Sequence, residues 1–102
     1  MAAYLVVIRQ SALRDPAAYA EYQRLNRAAP SPVSMKPLVA NGAVHALESD
    51  APDAVVVLEF ASVEEARAWY DRPGYHEAMR HRLAAADYQS FIVEGFAPPA
   101  RS

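Results

Sequence analysis

Three segments of the sequence are apolar at consecutive positions, and they limit the possible folds more than any other feature. They are "YLVVI" near the start, "AVVVL" in the middle and "FIV" near the end. Side chains alternate between the two faces of a β-strand, so an uninterrupted apolar run places hydrophobic groups on both faces. We therefore expect three strands that are covered on both sides.

The first predicted strand, "AYLVVIR", is followed by a helix. Asp15 is a typical N-cap, and Pro16 suits the first helical position. A backbone N–H at that position would have no partner within the helix, so proline costs no hydrogen bond there. An amphipathic pattern then continues to about Ala29. Pro30 and Pro32 cannot continue the helix and predict a loop.

A second helix is predicted to begin at residue 63, because Ser62 and Glu65 have the spacing of a capping box. The Arg72-Pro73-Gly74 sequence interrupts this helix, and a further helical segment is expected to run to about Ala86. The interruption turns the chain so that Tyr75 and Arg82 are expected to face the sheet.

The remaining β-rich stretches complete the order β-α-β-β-α-β. "KPLVANGAVHALE" (36–48) and "DAVVVLEF" (53–60) are predicted strands joined by an acidic loop, with a bulge or bend at Asn41-Gly42. "SFIVEGF" (90–96) is the last predicted strand. Residues 1–96 are thus expected to form one domain, and the tail 97–102 is expected to be disordered.

This order predicts an α+β ferredoxin-like fold, in which both helices cover one face of an antiparallel sheet. The uncovered face would still be apolar. Five or six such side chains left in water would forgo on the order of 10 kcal/mol, which is comparable to the stability of a whole domain. We therefore expect a homodimer that joins the two uncovered sheet faces.

Composition excludes several classes of function. The formal net charge is -2, which provides no basic surface for nucleic acid or anionic membranes. The absence of cysteine excludes disulfides and thiolate metal sites. The N-terminal segment lacks the features of a signal peptide, so a cytoplasmic protein is expected. We also expect no metal or cofactor.

Arg82 is the most informative candidate residue, because it lies within the apolar stripe of the second helical segment. A guanidinium facing a sheet needs an acceptor, and we expect Glu59 or Glu94 to provide a carboxylate. Such an arginine is either structural or an anchor for an acidic ligand. Tyr22, on the inner face of the first helix, would bring a hydroxyl to the same space, either as a core residue or as a proton donor.

Other candidates have weaker patterns. Trp69, Tyr70 and Tyr75 surround the helix interruption and could form the walls of a cleft, although aromatic residues at helical spacing are usually core. His45, in a predicted strand, could act as a general base, although an exposed or structural role is commoner. His76 and His81 are expected to face solvent, and their spacing does not suit a metal site.

Four segments together resemble the DUF1330 family of small bacterial proteins. They are "DPAAYAEY" (15–22), "VVVLEFASVEEARAWYDRPGY" (55–75), "RLAAAD" (82–87) and "VEGF" (93–96). The resemblance implies a ferredoxin-like dimer of the dimeric α/β-barrel superfamily. Relatives in that superfamily include cofactor-free monooxygenases, lactone isomerases and haem-degrading enzymes. The family itself has no established catalytic residues to transfer.

The chain departs from the family pattern before and within its second strand. Lys36 supplies the usual basic residue, but Pro37 replaces the aromatic residue that normally follows it. Ala40-Asn41-Gly42 replaces an arginine-glycine-glycine sequence, and His45 stands where an acidic residue is common. If these positions line the family's pocket, the pocket is altered in this chain.

Two functions from different classes follow from these observations. In the first, the protein is a cofactor-independent enzyme acting on a small anionic molecule between helices and sheet. Arg82 or Lys36 would anchor the anion, and Tyr22 or His45 would move a proton. In the second, it is a non-catalytic ligand-binding or structural homodimer. Haem binding, as in some relatives, is a third and weaker alternative.

Overall fold

The computed structural model describes residues 2–96, which form a four-stranded sheet and three helices. The elements in chain order are β1 (Ala3–Arg9), α1 (Pro16–Ala28), β2 (Lys36–Ala40), β3 (Ala54–Phe60), α2 (Val63–Tyr70), α3 (Tyr75–Ala85) and β4 (Tyr88–Glu94). The strand order is β2-β3-β1-β4, and all neighbouring strands are antiparallel. The predicted ferredoxin-like α+β fold is confirmed. The tail predicted to be disordered lies outside the described residues.

The strand register assigns side chains to two faces of the sheet. Leu5 of β1 lies opposite Leu58 of β3 and Ile92 of β4, and these side chains belong to the core that the helices cover. We call this the inner face. Because side chains alternate, Val6 and its partner Val57 point the other way, to the outer face.

The core joins the inner face to all three helices. Its buried members are Leu5, Leu58, Phe60, Ala66, Trp69, Tyr75 and Ala78. α2 packs on β1, β3 and β4, whereas α1 packs chiefly along α3. Since α1 lies mainly against another helix, the space between α1 and the inner face is only partly filled, and this is where the cavity described below lies.

Local sequence signals begin the first two helices as predicted. The Asp15 carboxylate accepts a hydrogen bond from the Ala18 N–H at 3.1 Å, and the Ser62 hydroxyl accepts one from the Glu65 N–H at 3.1 Å. Both bonds satisfy N–H groups that a helix leaves without a partner in its first turn.

The predicted interruption divides the second helix into α2 and α3. Gly74 has φ +88°, a left-handed conformation that disfavours residues with a Cβ. A Cβ at this position would also lie 3.3 Å from the Cβ of Ala29, just after α1. Glycine therefore permits both the turn and the close approach of α3 to the end of α1.

The second strand is shorter than predicted. β2 ends at Ala40 instead of residue 48, because Asn41 adopts φ +62° and bends the chain away from β3. Residues 41–51 are exposed throughout, and His45 lies in this loop and not in a strand. The bulge in the β2–β3 pairing falls between Pro37 and Val39, while Asn41 provides the predicted bend.

The outer face is apolar across the middle of the sheet. Its members include Val6, Ile8, Val39, Val55, Val57, Phe91 and Val93. Phe91 is 40% exposed and Val93 is 46% exposed, whereas inner-face Leu5 is 1% exposed.

Across residues 2–96, no helix is both long enough and apolar enough to cross a membrane.

Candidate functional site

A cavity of about 240 Å³ lies between α1, α3 and the inner face of the sheet. Its aliphatic wall is formed by Leu5, Val7, Met35, Val56 and Leu58. Its charged and aromatic lining residues are Arg9, Tyr19, Tyr22, Arg27, Trp69, Tyr75, Arg82 and Tyr88. No aspartate or glutamate is among the described residues that line it.

Arg82 extends from α3 into this cavity and is only 2% exposed. Its Nε has no hydrogen-bond partner within the described chain, and its Nη1 lies 3.5 Å from the Ser90 hydroxyl, at the limit of a weak bond. Its guanidinium carbon lies 4.7 Å from the centre of the Tyr88 ring. A cation–π contact of this kind compensates only part of the cost of burying the charge.

The predicted pairing of Arg82 with Glu59 or Glu94 is wrong. Glu59 lies on the outer face, where its carboxylate accepts a hydrogen bond from the Tyr4 hydroxyl at 3.2 Å. Glu94 is exposed at the far end of β4. Residue alternation explains the failure for Glu59, because its neighbours Leu58 and Phe60 face inward.

Arg9 provides a second cation to the cavity. It is the last residue of β1, directly opposite Ala54 and Tyr88, and both of these also line the cavity. Its Nε is buried without a partner in the described chain, and its guanidinium carbon lies 5.8 Å from the centre of the Tyr19 ring. The cavity therefore holds two guanidinium groups with buried, unsatisfied N–H groups.

Burial favours the protonated form of two tyrosines of the cavity, Tyr22 and Tyr88. It raises the pKa of Tyr22, with a further rise from Tyr75 and a smaller opposing effect from Arg82. Burial also raises the pKa of Tyr88, although Arg9 and Arg82 act in the opposite direction. At neutral pH these phenols can donate hydrogen bonds or protons to a ligand, but they cannot act as bases.

Arg72, in the interruption between α2 and α3, holds the aromatic wall in place. It is 3% exposed, and its guanidinium carbon lies 3.9 Å from the centre of the Trp69 ring and 4.6 Å from that of Tyr75. Its Nη1 donates to the Trp69 carbonyl at 2.9 Å, and its Nη2 donates to the Asn26 side chain. Burial lowers the pKa of Arg72. This arginine ties α1, α2 and α3 together.

The end of α3 is fixed separately, by Arg14. Its Nε donates to the Ala84 carbonyl at 3.1 Å and its Nη2 to the Leu83 carbonyl at 2.9 Å, so it satisfies carbonyls that have no partner within the helix. Arg82 thus extends from a helix that is held at both ends.

The structure brings together four of the predicted site residues and separates the others. Tyr22, Trp69, Tyr75 and Arg82 line the cavity. The remaining predicted residues, Lys36, His45, Glu59 and Tyr70, lie outside it.

Each of the separated residues has another environment. Lys36 and Glu59 face each other across β2 and β3 and line a shallow groove elsewhere on the surface. The Tyr70 hydroxyl contacts the Met79 sulfur at 2.8 Å. His45 is exposed in the β2–β3 loop, away from the cavity lining.

The other two histidines lie on the surface of α3, as the helical periodicity predicts. His76 Nε2 is 3.2 Å from Asp71 Oδ1, and His81 Nε2 is 3.8 Å from Glu77 Oε1. In the described part of the chain, no group of three or more His, Asp or Glu side chains is placed to hold a metal ion.

Sequence reasoning missed Arg9, Tyr19, Arg72 and Tyr88. A signal for Arg9 was present, because it continues the alternating series of Ala3, Leu5 and Val7 on the inner face. Tyr88 was overlooked because β4 begins two residues earlier than predicted. In the sequence, Arg72 is recognisable only as part of a helix break.

Residues 2–96 match the family described as "Domain of unknown function (DUF1330)", and the chain belongs to this family. No curated protein matches its sequence.

Solved structures share the fold at low sequence identity. The protein of unknown function RPA0582 from Rhodopseudomonas palustris is 22% identical, with a TM-score of 0.66 over 95% of this chain and 84% of that one. A protein from Bacteroides fragilis, described as dimeric and ferredoxin-like, is 10% identical, with a TM-score of 0.57 over 92% and 96% of the chains. SnoaB from Streptomyces nogalater, described as a cofactor-independent oxygenase, is 10% identical, with a TM-score of 0.52 over 98% and 97%.

The burial of Tyr22 predicts a specific loss of stability at alkaline pH. Its folded pKa lies above the ordinary value of 10.0, so the unfolded chain deprotonates first, and stability present below pH 10 is lost as the pH rises. Between pH 9 and pH 11, we expect the free energy of unfolding to fall by about 1 kcal/mol less in Tyr22→Phe than in the unaltered protein. Urea unfolding at both pH values measures it. An equal loss in the variant and the unaltered protein would show that Tyr22 is not buried in this way.

Proposed function

We propose that the protein binds a small organic anion in the cavity between its helices and sheet, and that Arg82 anchors this anion. The observation that carries the proposal is a guanidinium that is 2% exposed, whose Nε has no partner within residues 2–96 and which lines a cavity with no acidic residue among those residues. Burying an uncompensated charge is costly, and a bound anion would offset that cost. A carboxylate could also accept two parallel N–H bonds from the guanidinium.

The lining residues support stabilisation of negative charge more than removal of a proton. Arg82 and Arg9 are permanent cations, and Tyr22 remains a proton donor at neutral pH. No histidine or carboxylate is among the described lining residues, so His45 has no part in the proposed site. As an enzyme, the protein would act without a cofactor on a substrate that is already anionic, by stabilising an oxyanion and donating a proton.

A non-catalytic binding protein is the second candidate, and the lack of a base among the described lining residues favours it. The likeness to SnoaB supports the catalytic alternative only through the shared fold, because the identity is 10%. The cavity is smaller than the roughly 300–1,000 Å³ typical of drug-sized ligands, which leaves haem binding without structural support. Both remaining candidates, the enzyme and the non-catalytic binding protein, would bind an anion in the cavity.

Replacement of Arg82 tests the proposed anchor. We expect millimolar benzoate to raise the melting temperature of the unaltered protein, because a ligand that binds only the folded form stabilises it. Arg82→Met should abolish this shift. Without ligand the variant should be at least as stable, because methionine fills a similar volume without a buried charge. Differential scanning fluorimetry measures both quantities.

Arg80→Met provides the matched control. Arg80 lies on the same helix but is exposed, where it pairs with Glu77. This variant should keep the full benzoate shift. A shift that survives in Arg82→Met would contradict the anchor assignment.

We also propose that two copies of the chain associate through their outer faces. Phe91 and Val93 are substantially exposed there beside the Val6–Val57 pair, and no helix of residues 2–96 covers them. Contiguous exposed apolar surface of this kind is typical of interaction sites. Proteins with a similar fold from Bacteroides fragilis and Thermobifida fusca are described as dimeric, which supports a second copy as the partner.

Charge introduced on the outer face should separate the copies. We expect the unaltered protein to sediment as a dimer and Phe91→Glu to sediment as a folded monomer, because the glutamate would be buried at the interface. Leu83→Glu is the control, since Leu83 is 50% exposed on α3, away from the outer face. Analytical ultracentrifugation and circular dichroism measure assembly and folding. A folded unaltered monomer of 11.2 kDa at micromolar concentration would refute the dimer.

A further inference from the structure

The two cavity arginines that have an unsatisfied Nε, Arg9 and Arg82, lie toward one end of the cavity, and the Trp69 and Tyr75 rings lie toward the other. At one end, two cations and three aromatic rings form a closed loop of five residues. The Arg9 guanidinium carbon lies 5.8 Å from the Tyr19 ring, whose centre is 6.0 Å from that of Tyr22. The Arg82 guanidinium carbon lies 5.9 Å from the Tyr22 ring and 4.7 Å from the Tyr88 ring. Tyr88 is paired in register with Arg9, which closes the loop. We call these five residues the cationic end.

The opposite end is aromatic and aliphatic. Trp69 and Tyr75 have ring centres 5.0 Å apart, and both lie in the core with Leu5 and Leu58. Tyr22 connects the two ends, since its ring centre is 6.4 Å from that of Tyr75 in an edge-on arrangement. We call the Trp69, Tyr75, Leu5 and Leu58 group the apolar end.

From this segregation we propose that the ligand is a planar, unsaturated or aromatic monoanion. Its anionic group lies between Arg9 and Arg82 at the cationic end, and its planar body lies against Trp69 and Tyr75 at the apolar end. This inference rests on the proposed anion-binding function and defines the chemical class of the ligand.

Two observations limit the ligand to one charged group. Both guanidinium groups with unsatisfied Nε atoms that line the cavity belong to the cationic end, where Tyr88 neighbours each of them, and the proposed anionic group would accept hydrogen bonds from both. A second carboxylate would lie among Leu5, Leu58 and Trp69, and Arg72, whose Nε is also unsatisfied, stacks on the Trp69 ring without lining the cavity. Burying a charge in such surroundings is strongly unfavourable. A dianion of similar length should therefore bind less tightly than a monoanion.

The size and walls of the cavity favour a single flat body. A volume of about 240 Å³ corresponds to roughly eight liquid waters at about 30 Å³ each, which matches one ring with a short acidic substituent. Rings at the apolar end can pack edge-to-face or offset against another ring, and a saturated body of equal volume gains no such contact. The geometry thus distinguishes ligands of equal charge and size by their planarity.

A matched set of four probes tests the charge, the planarity and the number of acidic groups. Benzoate is compared with cyclohexanecarboxylate, which has the same charge but a puckered ring. Benzamide has the same shape without the charge, and terephthalate has a second carboxylate at the opposite end of the ring. Isothermal titration calorimetry should show benzoate binding about tenfold more tightly than each of the other three.

Variants locate the two ends of the ligand. Arg9→Met and Arg82→Met should each weaken benzoate at least about tenfold, the cost expected for a lost charge-assisted bond, and Arg80→Met should leave it unchanged. Trp69 is the single tryptophan of the sequence, so its emission reports on the apolar end directly. 4-Nitrobenzoate should quench this emission with the affinity measured by calorimetry, and Arg9→Met should shift the quenching curve to higher concentration.

The outcomes separate this inference from the proposed function. If cyclohexanecarboxylate or terephthalate binds as tightly as benzoate and still requires Arg82, the anion-binding function stands and the planar monoanion is refuted. If Arg9→Met leaves benzoate affinity unchanged, the placement of the anionic group between Arg9 and Arg82 is refuted. If benzamide binds as tightly as benzoate, or none of the carboxylates binds, both proposals fail.

Discussion

A buried guanidinium requires negative charge or strong acceptors around it, and the described residues of the cavity give Arg82 neither. Much of the surrounding structure keeps Arg82 in that position. Gly74 allows α3 to turn back toward the end of α1, the Arg72 side chain fixes the Trp69 and Tyr75 rings, and Arg14 holds the last turn of α3. A binding function explains an arrangement that stability alone would disfavour, because apolar replacement of buried charges is often stabilising.

The sheet adds a second constraint, since both of its faces are apolar and the described helices cover only one. α2 packs against part of the inner face, and the cavity occupies the space between that face, α1 and α3. The outer face has no cover within residues 2–96. The two apolar faces of the sheet therefore account for both proposed interactions, with a small anion at the inner face and a second copy of the chain at the outer face.

The sequence predicts the elements of this fold well and its site only in part. Apolar runs, Asp15, Ser62 and the Pro73-Gly74 break are local signals, and the elements they predict are present. Helical periodicity also identified Tyr22 and Arg82 as inward-facing. The predicted pairing of Arg82 with Glu59 is wrong because it does not take strand alternation into account. The predicted second strand is too long because the β2–β3 pairing ends at Ala40, and where pairing ends is a property of the folded sheet. The role of Arg9 depends on which strand ends meet, and no short segment of sequence contains that information.

The most direct test of the buried, unpaired arginine is a crystal structure with 4-bromobenzoate, located by the anomalous scattering of bromine. We expect a carboxylate oxygen about 2.7–3.0 Å from an Arg82 nitrogen, with the bromine directed toward Trp69. Bromobenzoate bound only outside the cavity, or an Arg82 already paired with a carboxylate of the protein, would contradict the account.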